Sequence, residues 1–219
     1  MRSYRTLTAL IVAAWFVFAL SASARNLFRN DAARLGLPVA IAALSPILLF
    51  ALWFAASSGF RQFAYSLSPR ILTLVQTWRI GGFVFITLYT LGILPGIFAL
   101  PAGGGDMLIG ATAPFVALKL TSPDHRRRFI VWQLLGMLDL VTAVTLGTTA
   151  RLISPHGSNM GAMTVLPLSL IPTFIVPLLF IFHIISIAQA RRWRQAESRL
   201  GAPVAAASQS AKCTEKQAA

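Results

Sequence analysis

The sequence is short of charge, and shortest of negative charge. Across 219 residues six acidic side chains face nineteen basic ones, and charged residues of both signs make up only 11%. An ordinary soluble domain carries about 25% charged residues. With so few, a chain of this length cannot cover its outside with polar groups, which excludes a soluble globular fold and requires lipid over most of the surface. Cysteine is nearly absent too: Cys213 is the single one and sits in a polar tail. An intrachain disulfide and a cysteine-based zinc or iron–sulfur site are therefore excluded. Complete catalytic, nucleotide-binding and metal-binding motifs are missing as well, and no cofactor is expected.

What the chain has in abundance is apolar sequence: 56% of its residues are hydrophobic, and its mean hydropathy is +0.71. A helix crosses about 30 Å of hydrocarbon with roughly 17–25 residues. Apolar runs of that order occupy residues 7–24, 38–56, 76–99, 103–119, 130–149 and 164–188. They predict an all-α fold, a polytopic transmembrane helical bundle of about six spans within residues 1–190. From residue 191 the chain turns basic and then rich in Ala, Ser, Lys and Gln, which predicts a disordered cytoplasmic tail over 191–219.

Basic residues should collect on the cytoplasmic side of a correct set of spans. With the N-terminus inside, the inner loops and termini hold fourteen of them, among them Arg2, Arg5, Arg61, Arg70, Arg126 to Arg128, Arg191 and Arg192, and the outer loops hold four, Arg25, Arg29, Arg34 and Arg151. Both termini are therefore expected in the cytoplasm. Clusters between apolar runs set orientation; they do not form one long basic face, so the formal charge of +13 does not point to nucleic acid. The expected partners are the lipid bilayer and either another membrane protein or a second copy of this chain. Residues 1–24 also read as a secretory signal, with a basic start, an apolar stretch and Ala22-Ser23-Ala24 as a cleavage site. The stretch is nevertheless long enough to cross a bilayer, and the expectation is that it stays.

Ionisable residues at membrane depth mark function, because even the lenient insertion scale charges about 2.5–3.5 kcal/mol for one. Four qualify: Asp139, Asp106, Arg79 and His183. Asp139 lies halfway along the fifth run, where Trp132, Gly136, Asp139 and Ala143 share one helical face. Two roles stay open for it, an interhelical hydrogen bond and proton or ion handling. Asp106 follows Pro101-Ala102-Gly103-Gly104-Gly105, which reads as an outer turn with Asp106 capping the next helix. Arg79 is expected at the cytoplasmic start of the third span, snorkelling outward. His183 is expected near the inner end of the last span. Bis-histidine haem ligation within one chain is not expected, because His125 and His156 fall in loops on opposite sides.

Prolines 167, 172 and 177 predict a kinked or partly unwound outer half of the last span, and Pro95 and Pro101 the same at the outer end of the third. An inverted repeat would place such breaks at the same end of equivalent helices, and they are not so placed. They share the outer leaflet instead, which suggests a vestibule bounded by Pro95, residues 103–106 and residues 167–172.

The run from Leu94-Pro95-Gly96 to Gly105-Asp106, the stretch from Trp132 to Asp139, and Leu166-Pro167 through Pro172-Thr173-Phe174 to His183 together resemble an uncharacterised family of small bacterial multi-pass membrane proteins. The resemblance covers roughly residues 60–188; the first two spans and the tail add no motif. It implies a multi-helix fold in the bacterial cytoplasmic (inner) membrane and supplies no catalytic residue.

Three function classes follow. The first is a small transporter or ion-coupled carrier using Asp139 and Asp106, and its alternative is a non-catalytic membrane scaffold or subunit of a larger complex. An intramembrane enzyme is weakest: neither a His-Glu-x-x-His helix nor a paired aspartate motif is present, and Ser169 has no evident His partner.

Overall fold

The structure, a computed structural model, describes residues 2–29, 37–153 and 160–193. Within them α1 spans Arg2–Ala24, α2 Leu37–Ala56 and α3 Ser58–Ser66. Helix α4 runs over Pro69–Thr90, with a 3-10 segment, Gln76–Gly82, between its α-helical ends. Helix α5 covers Gly96–Lys119 and α6 Arg126–Ile153. Helix α7 covers Ile171–Trp193 and opens with a π-helical turn, Ile171–Ile175. The described residues contain no strand, so the fold is all-helical.

Five of these helices, α1, α2, α4, α6 and α7, are both long and apolar enough to cross a membrane. Their outward faces are apolar, as a lipid-facing surface must be: Leu48, Leu49 and Leu52 of α2 are 62–67% exposed. Helix α5 matches them in length with 24 residues but falls short in hydropathy, because Gly103, Gly104, Gly105 and Asp106 dilute its middle. Its composition suits protein neighbours instead. Ala99, Ala102, Ala113 and Ala117 are at most 1% exposed, and small residues of this kind let helices approach closely without an aqueous hydrophobic drive.

The turn between the third and fourth expected spans is displaced from where the sequence puts it. It lies at residues 91–95, where Gly92 takes the left-handed φ of +71° that favours glycine and Pro95 precedes the first residue of α5. Pro101 and the three glycines lie inside α5. Proline is tolerated there because neighbouring helices can re-satisfy the freed carbonyl. Asp106 is thus no helix cap. Helix α4 likewise starts at Pro69, capped by Ser68, so Arg79 sits in the middle of its span and is 3% exposed; it does not snorkel. Helix α7 continues to Trp193, which leaves His183 in the middle of its span as well.

The expected break in the last span is present: a 3-10 turn over Met160–Thr164 and the π turn at Ile171–Ile175 replace regular helix around Pro167 and Pro172. Helix α3 is short and amphipathic, and it falls in a stretch read from sequence only as a basic loop. Ser57 caps it by accepting from the Phe60 amide at 3.2 Å. Phe60 and Phe63 pack with Phe50, Leu72, Ile181 and Ile185, and the Trp53 ring stacks on Phe60 at 3.8 Å. Gln189 of α7 donates to the Ala64 and Leu67 carbonyls at 3.0 and 2.7 Å, which ties the end of α3 to α7. Helix α1 meets α7 through Trp15 and Phe16, whose rings lie 4.7 and 5.1 Å from that of Phe174. The loop bearing Asp31 and Arg34, His156, and the tail from residue 194 with Cys213 lie outside the described residues.

Candidate functional site

The four ionisable residues singled out at membrane depth meet at one point. Arg79 reaches from α4 to three other helices. Its Nε donates to Asp106 Oδ1 of α5 at 2.7 Å. Its Nη2 donates to Asp139 Oδ2 of α6. Its Nη1 donates to the Gly136 carbonyl of α6 at 3.1 Å and lies 3.2 Å from His183 Nε2 of α7. A guanidinium has five N–H donors and no acceptor, so nearly all of its capacity is used.

The direction of the neighbouring hydrogen bonds follows from that chemistry. Because Arg79 can only donate, His183 Nε2 must accept, which leaves the ring proton on Nδ1. That nitrogen lies 2.5 Å from Gln133 Oε1, an acceptor. The Gln133 Nε2 then donates to Thr73 Oγ1 at 3.2 Å, and Thr73 donates to the Pro69 carbonyl at 2.8 Å. The series runs from Arg79 back to the start of α4, with His183, Gln133 and Thr73 each at most 1% exposed. It fixes orientation and does not conduct protons end to end, since a guanidinium and a primary amide give up their protons too reluctantly to relay them.

Local backbone explains how Arg79 gets there. Side chains three residues apart eclipse in a 3-10 helix, so the Gln76–Gly82 segment projects Gln76 and Arg79 on the same side. Gln76 donates to the Leu179 carbonyl of α7 at 3.2 Å. Glycines clear the way for this segment against α5. A Cβ on Gly103 would stand 2.8 Å from the Gly82 carbonyl oxygen, and one on Gly110 would run into the Ile80 backbone nitrogen. Two more glycines shape the site itself: a Cβ on Gly105 would occupy the place of the Asp139 carboxylate, and one on Gly136 would lie 2.5 Å from the His183 ring. Two of the three consecutive glycines, Gly103 and Gly105, therefore permit close packing within a helix, whereas a Cβ on Gly104 would meet nothing within 4 Å.

The face of α6 formed by Trp132, Gly136, Asp139 and Ala143 does turn inward. Trp132 Nε1 donates to Thr112 Oγ1 of α5 at 2.9 Å, and its ring centre is 6.0 Å from that of His183. The carboxylates keep some access, with side-chain exposures of 16% for Asp106 and 13% for Asp139. Asp106 lines a cavity of about 80 Å³ whose other walls include Phe85, Phe98, Met163, Ile171 and Pro172. Residues 106 and 172 of the expected vestibule thus share a cavity, though a mostly apolar one that Pro95 does not reach.

Formal charges within the cluster do not cancel. Two carboxylates face one guanidinium and an imidazole whose Nε2 is an acceptor, so one negative charge is in excess. Among the described residues no group of three His, Cys, Asp or Glu could hold a metal ion. His125 stands apart, 3.1 Å from Ser122 Oγ, and the buried Ser169 hydroxyl has no partner among the described residues. Charge at depth identifies Arg79, Asp106, Asp139 and His183 from sequence, whereas Gln133, Thr73 and Gln76 escape a search for charge alone. Their signal is milder: an amide or hydroxyl inside an apolar run, with Gln133 three residues before Gly136 on the same face.

A family model described as a domain of unknown function (DUF8737) matches residues 34–191, and the chain belongs to that family. The match takes in α2 as well as the region of the resemblance seen in the sequence, and it includes every residue of the polar cluster. No curated protein and no solved structure matches.

Proposed function

We propose that this member of a family of unknown function is a small ion-coupled carrier in which the Asp106–Arg79–Asp139 cluster holds the coupling proton. The observation that carries the reading is a single buried guanidinium shared between two carboxylates from different helices, one of which lines a cavity. One excess negative charge at membrane depth is costly, and a proton on either carboxylate removes it. Proton exchange thereby changes the contacts that join α4 to α5 and α6, which is the linkage a carrier needs between an ion and a helix rearrangement. The 3-10 segment supports this, since such a stretch inside a long helix often marks a hinge.

In this reading α5 completes a bundle of six spans in a bacterial cytoplasmic membrane, with both termini inside as the basic residues favour. The Asp106 cavity then opens from the outer half. A competing role, a rigid pin in a scaffold subunit, draws support from the near-complete use of Arg79's donors. Proteoliposomes carrying a trapped pH dye separate the two. An imposed proton gradient should collapse faster than in empty liposomes, and Asp106→Asn should abolish the difference while the protein stays monodisperse. Equal rates with and without protein contradict the carrier.

A further inference from the structure

We propose that the groove between α2, α3, α6 and α7 binds an anionic phospholipid, phosphate outermost. The groove has a volume of about 800 Å³, and Arg61, Arg191 and Arg192 line it together with Leu134, Ile184 and Ile187. None of its lining residues is acidic, so the three guanidinium groups repel one another until an anion joins them. A phosphate diester suits them, because the planar guanidinium fork matches its oxygens.

Two of the arginines are already aimed. The Arg192 guanidinium carbon sits 4.3 Å from the Tyr65 ring centre, which orients its plane. The Nη1 of Arg61 is tied to the Phe54 and Ala55 carbonyls at the end of α2, at 3.1 and 2.5 Å. Its Nε and Nη2 donors remain without a protein partner among the described residues.

The apolar wall decides between a lipid and a free anion. Ile184 precedes Arg191 by seven positions on α7, which places it about 10 Å deeper along the helix axis. Leu134, on α6, is 51% exposed. A soluble phosphate has no use for such a wall, whereas an acyl chain beneath a bound headgroup runs along it. Clusters of basic residues beside a transmembrane helix attract anionic lipid on electrostatic grounds alone; the groove adds a seat for one molecule.

Native mass spectrometry of the full chain in detergent tests this. The protein is offered phosphatidylglycerol and phosphatidylcholine with identical acyl chains in equal amounts. Phosphatidylglycerol should be retained about tenfold over phosphatidylcholine, and the Arg191→Gln/Arg192→Gln pair should lower its retention by about tenfold. Leu134→Asn, which leaves the charge unchanged, should also lower retention, and glycerol phosphate without chains should not compete. Equal retention of the two lipids overturns the proposal. So does unchanged retention in the arginine pair or in Leu134→Asn, or competition by glycerol phosphate as effective as the lipid itself.

Discussion

Replacing Arg79 with methionine keeps an apolar stem of similar length and removes the group that joins α4 to three other helices. The guanidinium contacts Asp106, Asp139, the Gly136 carbonyl and His183. Breaking a buried charge pair by deleting one partner costs about 3–5 kcal/mol, because the remaining charge is left uncompensated. At about 2–4 °C per kcal/mol for a chain of this size, the melting temperature should fall by about 10 °C. The electrostatic origin of that loss has its own signature. Adding Asp106→Asn and Asp139→Asn to Arg79→Met removes every charge from the cluster and should restore most of the stability, since uncharged replacements of a buried ionic group are often neutral. Thermal unfolding in detergent reads both variants through the emission of the five tryptophans, one of which, Trp132, lies beside His183. Wild-type melting for Arg79→Met would mean that the cluster does not hold the helices together. A triple variant less stable than the single one would refute the argument from uncompensated charge.

Gly136→Ala should lower stability by about 1–3 kcal/mol, because its Cβ lands against His183, while Gly81→Ala, whose Cβ meets nothing within 4 Å, should be neutral; unfolding curves measured side by side check both. Gln133→Leu strips partners from His183 and Thr73 and should cost about 1–3 kcal/mol by the same assay. Trp132→Phe keeps an aromatic ring but loses the pyrrole N–H that donates to Thr112 together with some buried volume, for about 1–3 kcal/mol. Asp139→Asn should leave the protein folded and stop proton flux in proteoliposomes; a folded, fully active variant would assign Asp139 to packing alone.

Helices α1 and α2 are legible in the sequence to within a few residues, because an unbroken apolar run carries its own length. The α4–α5 junction is not, for a physical reason: Pro-Ala-Gly-Gly-Gly has the composition of a turn, and the same residues serve inside a helix when small side chains are needed for close approach. Misplacing that turn shifts Arg79 to a membrane surface and turns Asp106 into a cap, so one boundary error hides an ion pair. The inward face of α6 is readable, since Trp132, Gly136, Asp139 and Ala143 keep helical spacing in any correct register. What periodicity cannot supply is convergence. That the 3-10 turn at Gln76–Gly82 aims Arg79 at Asp106 and Asp139 together depends on Gly103 and Gly110 of α5, which face that turn from a distant part of the sequence, and no local pattern encodes it.

Whether the two carboxylates share an exchangeable proton decides between a coupling site and a structural pin. Infrared difference spectroscopy of the purified protein, recorded as pH is stepped, observes it directly through the carbonyl stretch of a protonated carboxyl group. A shared proton should give a band that rises and falls with pH in the wild type and disappears in Asp106→Asn/Asp139→Asn. A wild-type difference spectrum identical to that of the double variant would contradict it.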